Sequence, residues 1–236
     1  MIIHRKTILL IILSGLLVWI FSTSALAAES APEEPLPRFI LPFEGPPGPR
    51  TWYFLQPYGN TTFAYRFRYS TYGAGQGLHF GVDLAAPCGT PIVAIGDGIV
   101  DSVDSWHGAR PHNLMIDHQN GYMSFYGHLL VRSKLKPGQE VKAGDVVALS
   151  GDPDLTCSSR PHLHLEIRST NYRTAYNPLL FFDVDWESLA LIGGFPQRFE
   201  QDMEDPRRWQ SLYDQPDTLF GYPLLNDYGS PWPPAR

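Results

Sequence analysis

Hydrophobic and polar positions alternate in several short runs between residues 51 and 182, and the 3.6-residue period of an amphipathic helix is scarce there. In residues 162–168, Leu163, Leu165 and Ile167 interleave with His162, His164, Glu166 and Arg168. Successive side chains of a strand point to opposite faces, so this run predicts a half-buried strand with an apolar face and a polar one. Runs rich in β-branched and aromatic residues at 91–103, 114–117, 122–128 and 146–150 predict further strands. Asn120-Gly121 lies between two of them and predicts a hairpin turn. Pro137-Gly138 and Gly144-Asp145 predict two turns around a short strand. Together these elements predict a mostly β domain, an antiparallel β-sandwich or open barrel.

The flanks follow different patterns. His4, Arg5 and Lys6 precede an apolar run from Ile8 to Phe21, and Ala25-Leu26-Ala27 supplies small residues for cleavage, so residues 1–27 read as a secretory signal peptide. Left uncleaved, the run would be a membrane anchor. Residues 28–50 are predicted to be a proline-rich spacer, with seven prolines between Glu29 and Arg50. The domain itself is placed at 51–182. Residues 183–236 form an acidic and aromatic C-terminal extension, predicted to pack on the domain through some of Trp186, Phe195, Phe199, Trp209 and Phe220. A net charge of −6 gives no electrostatic reason to expect nucleic acid as a partner.

The polar face of the 162–168 strand has its own chemistry. His162 and His164 project the same way about 6.6 Å apart at Cα and can approach one small site. His79 and Asp83 lie upstream, but four residues of straight strand span about 13 Å, so the chain must bend between them; Gly81 allows it, by a bulge or a close backbone approach. A lone His-x-x-x-Asp is ordinarily a polar strand end. Beside His-x-His it completes three metal ligands and a spare imidazole, the inventory of a catalytic zinc site.

The stretch from about Gly77 to Arg168 resembles the lysostaphin and LytM type zinc metallopeptidases that cut peptide bonds in bacterial peptidoglycan. The resemblance is carried by His79-Phe80-Gly81-Val82-Asp83-Leu84-Ala85-Ala86-Pro87 with Gly89-Thr90-Pro91, by Gly121-Tyr122 running to Tyr126-Gly127-His128-Leu129, and by Pro161-His162-Leu163-His164-Leu165-Glu166. It implies that His79, Asp83 and His164 hold Zn²⁺ and that His128 and His162 are the catalytic imidazoles. It further implies an exported enzyme, periplasmic, wall-associated or extracellular, with peptidoglycan as its partner. Arg160 stands where the family usually has glycine, the 152–159 loop carries two acids, and Leu165 replaces a common phenylalanine.

The other candidates have plainer readings. His118 is expected to cap the hairpin, and His107 and His112 to lie at the groove rim or in solvent. Glu166, two residues after a ligand, is expected to orient a neighbour rather than act as a base. Cys88 and Cys157, the chain's two cysteines, are expected to pair in an exported protein. Two other functions fit parts of the pattern: a non-catalytic wall-binding or hydrolase-activating member of the same family, and a carrier module built on a related hairpin. The first usually lacks ligands or catalytic histidines that are all present here, and the second lacks the lysine that carries the group.

Overall fold

The computed structural model describes residues 35–190, 200–201 and 209–227. The signal segment at 1–27 and the aromatics Phe195 and Phe199 lie outside the described residues. In chain order the strands are β1 (Tyr53–Gln56), β2 (Val82–Ala85), β3 (Pro91–Val93), β4 (Gly98–Val103), β5 (His112–Asp117), β6 (Tyr122–Leu129), β7 (Glu140–Val141), β8 (Val146–Leu149), β9 (His162–Ser169), β10 (Thr174–Tyr176), β11 (Glu200–Gln201), β12 (Trp209–Gln210) and β13 (Thr218–Leu219). Two short helices accompany them, α1 (Thr62–Arg66) and α2 (Trp186–Ala190).

One open sheet in the order β1-β2-β9-β6-β5-β4-β7 dominates, and its neighbouring strands are antiparallel. β10 pairs with the far end of β9 and β13 with β10, while β3 and β8 form a separate pair. The mostly β, antiparallel class expected from the alternation is the class observed. The run at 91–103 divides at a turn into β3 and β4, so one predicted strand serves two sheets.

The apolar side chains of the alternating runs meet in one buried cluster. Leu163, Leu165 and Ile167 of β9 join Val82 and Leu84 of β2, Tyr126 of β6, and Ile92, Val147 and Ala148 of the small sheet. Phe39 and Phe43 belong to the same cluster, so the packed chain extends upstream of Thr51 into the proline-rich segment. The Phe39–Phe182 bridge and isolated backbone bonds from the Ile40 N–H to the Ile95 carbonyl and from the Val93 N–H to the Pro42 carbonyl anchor that segment, with no regular ladder and so no periodicity to announce it. A second, smaller cluster of Met115, Met123 and Phe125 underlies the polar face of β9. β9 is therefore buried on both faces instead of half-buried as its alternation predicts, because its polar side chains bond to one another under a cover of aromatic rings.

Described residues of the C-terminal extension are part of this fold. Trp186 is buried, its Nε1–H donates to the Leu179 carbonyl at 3.1 Å, and its ring lies 5.4 Å from that of Phe54. The Tyr58 hydroxyl, itself buried, is 2.9 Å from the Thr218 hydroxyl and donates to the Ala175 carbonyl at 2.8 Å. Asn226 Nδ2 donates to the Gly77 carbonyl at 2.6 Å, and the Leu219 N–H donates to Gln76 Oε1 at 2.8 Å. Residues 218–226 thereby clasp the loops on either side of α1 that lead to His79.

Cys88 and Cys157 form a disulfide across 69 residues of chain. It ties the loop after β2 to the loop before β9. Closing a loop of this length constrains the unfolded chain by about 4 kcal/mol in the chain-entropy description. The variant carrying both Cys88→Ser and Cys157→Ser is expected to lose stability of that order in denaturant titration; an unchanged unfolding midpoint would refute the expectation.

Candidate active site

The site is assembled by strand register. β2 and β9 pair so that Asp83 faces His164 and Ala85 faces His162, and β6 pairs with β9 so that Gly127 faces His164. Asp83, His162 and His164 consequently share the face opposite the main core. His79 precedes β2 and reaches the site from a bridge between its own backbone and Gly59. The bend required between His79 and Asp83 takes the form of a close approach at Gly81. A Cβ built there would lie 2.7 Å from both His164 Cε1 and the Leu165 carbonyl oxygen, so only glycine lets the two segments meet.

Three donor atoms converge. His79 Nε2 lies 3.1 Å from His164 Nδ1 and 3.2 Å from Asp83 Oδ1, and His164 Nδ1 lies 2.8 Å from the same oxygen. Each residue is buried, and this is the group among the described residues that could share one metal ion. The orientation of both imidazoles is set from behind. His79 Nδ1–H donates to the Pro57 carbonyl at 2.7 Å and His164 Nε2–H to Glu166 Oε1 at 3.0 Å, which leaves Nε2 of His79 and Nδ1 of His164 facing inwards. Glu166 is fully buried and is held by Arg168, whose Nη2–H donates to Oε1 at 2.9 Å.

The electrostatics call for positive charge at the point of convergence. Burial alone would raise the Asp83 pKa, but the imidazoles of His79 and His162 and the bond from His164 hold the carboxylate well below its usual range. Burial likewise opposes charge on His164, yet its bonds to Asp83 and Glu166 outweigh that and raise it to about 9. A proton on His164 Nδ1 serves that one atom; a divalent ion serves all three donors. Edges near 3 Å suit a tetrahedral ion with ligand bonds of about 2.0–2.2 Å, and two nitrogens with one carboxylate oxygen are ligands that zinc accepts. The residues fit a zinc ion with a fourth position open.

His128 and His162 stand beside the triad, their ring centroids 4.7 Å apart, with His128 5.9 Å from His164. Strict alternation along β6 would send His128 to the core face with Tyr126, but its φ of 56° breaks the alternation and turns the ring to the site. Its Nδ1–H donates to the Arg110 carbonyl, and that of His162 donates to the Arg160 carbonyl at 2.6 Å, so both expose Nε2. Burial, with the neighbouring imidazoles of His162 and His164, pushes His128 down to about 3, so its ring is neutral at neutral pH. Gly127 leaves no space either, since a Cβ there would lie 2.3 Å from that of Ala109.

Residues 77–178 match the model of peptidase family M23. This stretch is a peptidase family M23 domain. Over 101 residues the chain is 40% identical to an uncharacterized metalloprotease of Haemophilus influenzae, an alignment covering 43% of this chain and 20% of that one. Over 89 residues it is 38% identical to the peptidoglycan DD-endopeptidase ShyA of Vibrio cholerae, covering 38% of this chain and 20% of that one. Among solved structures it is similar to the catalytic domain of the prophage-encoded M23 protein EnpA from Enterococcus faecalis, at 31% identity and a TM-score of 0.43, covering 58% of this chain and 94% of that one. The chain spans from a fifth to about half of the length of such curated relatives.

All five expected site residues of the M23 domain come together. Glu166 touches His164 at Nε2, on the side of the ring away from Asp83. His118 is structural: its Nδ1–H donates to the Asp97 carbonyl at 2.8 Å, and burial lowers its pKa. His112 sits against the Asp104 carboxylate at 3.0 Å, and the His107 ring stacks on Tyr172 at 4.8 Å. The sequence pattern gave no role to two neighbours. Tyr72 packs edge-on to His79 at 5.6 Å with no motif to mark it. Arg168 had a readable signal, since it lies on the same strand face two residues beyond Glu166.

Replacing Glu166 by Gln keeps an acceptor for His164 but removes the charge that balances Arg168 and bears on the His164 imidazole. Losing such a partner typically costs 10- to 100-fold in metal affinity. The Glu166→Gln chain is expected to release zinc to a competing chelator at correspondingly lower chelator strength; equal affinity in the two chains would contradict this role.

Proposed function

We propose that this chain is an exported zinc metalloendopeptidase that hydrolyses peptide bonds in peptidoglycan crosslinks or stem peptides. The observation that carries the reading is the pairing of a buried His79–Asp83–His164 donor set with two imidazoles, His128 and His162, that both present Nε2 beside it. Family membership and the peptidoglycan DD-endopeptidase among the relatives support the substrate class. The apolar run at 8–21 supports export, with the chain cleaved free or held at the membrane by that run.

In this reading His79 Nε2, Asp83 Oδ1 and His164 Nδ1 hold the ion, and Arg168, Glu166 and the Pro57 carbonyl keep those atoms aimed. Zinc bound there supplies Lewis acidity and brings the pKa of a water molecule towards neutrality. Hydrolysis adds water to the scissile carbonyl carbon and breaks its bond to nitrogen. The proton lost by water must reach the leaving amine. His128 and His162 form the pair that takes up that proton and delivers it, each fixed in one tautomer by a backbone carbonyl. The neutral ring of His128 suits it to accept.

The test separates holding metal from moving protons. His79→Ala, Asp83→Ala and His164→Ala are expected to lose both bound zinc and activity. His128→Ala and His162→Ala are expected to keep zinc while turnover falls about 10²- to 10⁴-fold. Metal analysis and digestion of purified peptidoglycan, with new amino termini identified by mass spectrometry, read both quantities. A zinc-loaded chain inert towards walls of varied crosslink chemistry would overturn the proposal.

A further inference from the structure

The peptidase reading leaves the Arg160 guanidinium without a task. The main chain of Arg160 is fixed at both ends: its N–H donates to Asp152 Oδ2 at 3.2 Å, and its carbonyl accepts the bond from His162 Nδ1. Two residues of extended chain, about 7 Å, separate its Cα from that of His162. The side chain is exposed and lies over the Phe63 ring, with the guanidinium carbon 5.5 Å from the centroid. Phe63 stands edge-on to Tyr72 at 6.1 Å, and Tyr72 edge-on to His79 at 5.6 Å. Arg160 therefore caps an aromatic wall whose other end is a metal-site imidazole.

No ion pair or hydrogen bond engages this guanidinium among the described residues, although the chain carries more acids than bases. The acids of its own loop are committed elsewhere. Buried Asp152 accepts from the Ser159 and Arg160 N–H groups and from the Ser159 hydroxyl, and Asp154 accepts from the Thr156 N–H and hydroxyl. The planar fork of a guanidinium matches a carboxylate in two parallel hydrogen bonds, and a ring behind it holds the fork's face while leaving its edge free.

We infer that Arg160 recognises a free carboxylate on the peptide substrate, one or two residues from the bond that is cut. The inference rests on the peptidase reading and narrows it to acidic peptides in preference to neutral, glycine-type bridges. It makes Arg160 a specificity-determining residue, acting through its side chain while its backbone carbonyl orients His162.

The test uses a crosslinked stem-peptide dimer with a free carboxylate beside the scissile bond and its carboxamide twin. Both are titrated calorimetrically into the full-length, zinc-loaded His128→Ala chain, and into the same chain carrying Arg160→Gln. The carboxylate peptide is expected to bind about five- to tenfold more tightly than its twin, the range for an exposed charged pair with good geometry. Arg160→Gln is expected to bring the ratio close to one. Equal binding of the two peptides, a preference that survives Arg160→Gln, or no binding of either peptide overturns the inference. If the preference is present and depends on Arg160, yet the chain with His128 intact cuts neither peptide, carboxylate binding by Arg160 stands, while the peptidase reading and the place of Arg160 beside a cut bond fall.

Discussion

Asp83 lies opposite His164 across β2 and β9, and Gly127 lies opposite His164 across β6 and β9. This double register is the constraint on which the site depends. A slip of one residue in either pairing would send the histidines into the apolar cluster and the leucines to the site, because the side-chain period of a strand is two. The apolar side chains Leu163, Leu165 and Ile167 therefore do more than fill the core. Their burial opposes a slip, and holds His162 and His164 at their positions without any contact of their own to the chemistry.

Behind the register stands a line of buried charge. Arg168, Glu166, His164 and Asp83 follow one another with alternating sign, sealed by the rings of Phe125 and Phe220 over the guanidinium. Burying such groups is costly unless each is paired and hydrogen-bonded. Here the pairing is complete on the Arg168 side and converges on three donor atoms on the other. The order of the series leaves the donor atoms of His79, Asp83 and His164 gathered at its open end.

The strand alternation and the His-x-His spacing were legible because both are local and periodic. The close approach at Gly81 was legible for a different reason: thirteen ångströms of strand could not otherwise bring His79 to Asp83. What the chain concealed was long-range or conformational. Phe39 and Phe43 sit among prolines with no period, and their segment is held by isolated backbone contacts to the distant residues Val93, Ile95 and Phe182. The turn of His128 towards the site arises from a single positive φ that its residue type does not announce. Tyr72 contacts His79 through a loop that carries no pattern. Both faces of β9 are buried because its polar residues satisfy one another, which an alternation count reads as exposure.

The clasp of residues 218–226 over the loops at 58–60 and 74–77 also bears on how the domain comes into being. Tyr58 and Thr218 touch across 160 residues of chain, and Asn60 and Asn226 across 166. Contacts of such sequence separation are slow to form, since the loop must close before they repay its entropy. During synthesis His79 emerges well before the groups at 218–226 that steady its loop. Assembly of the pocket around His79, Asp83 and His164 thereby waits until residues 218–226 have emerged, and a nascent chain carries all of its candidate ligands before it can hold them in place.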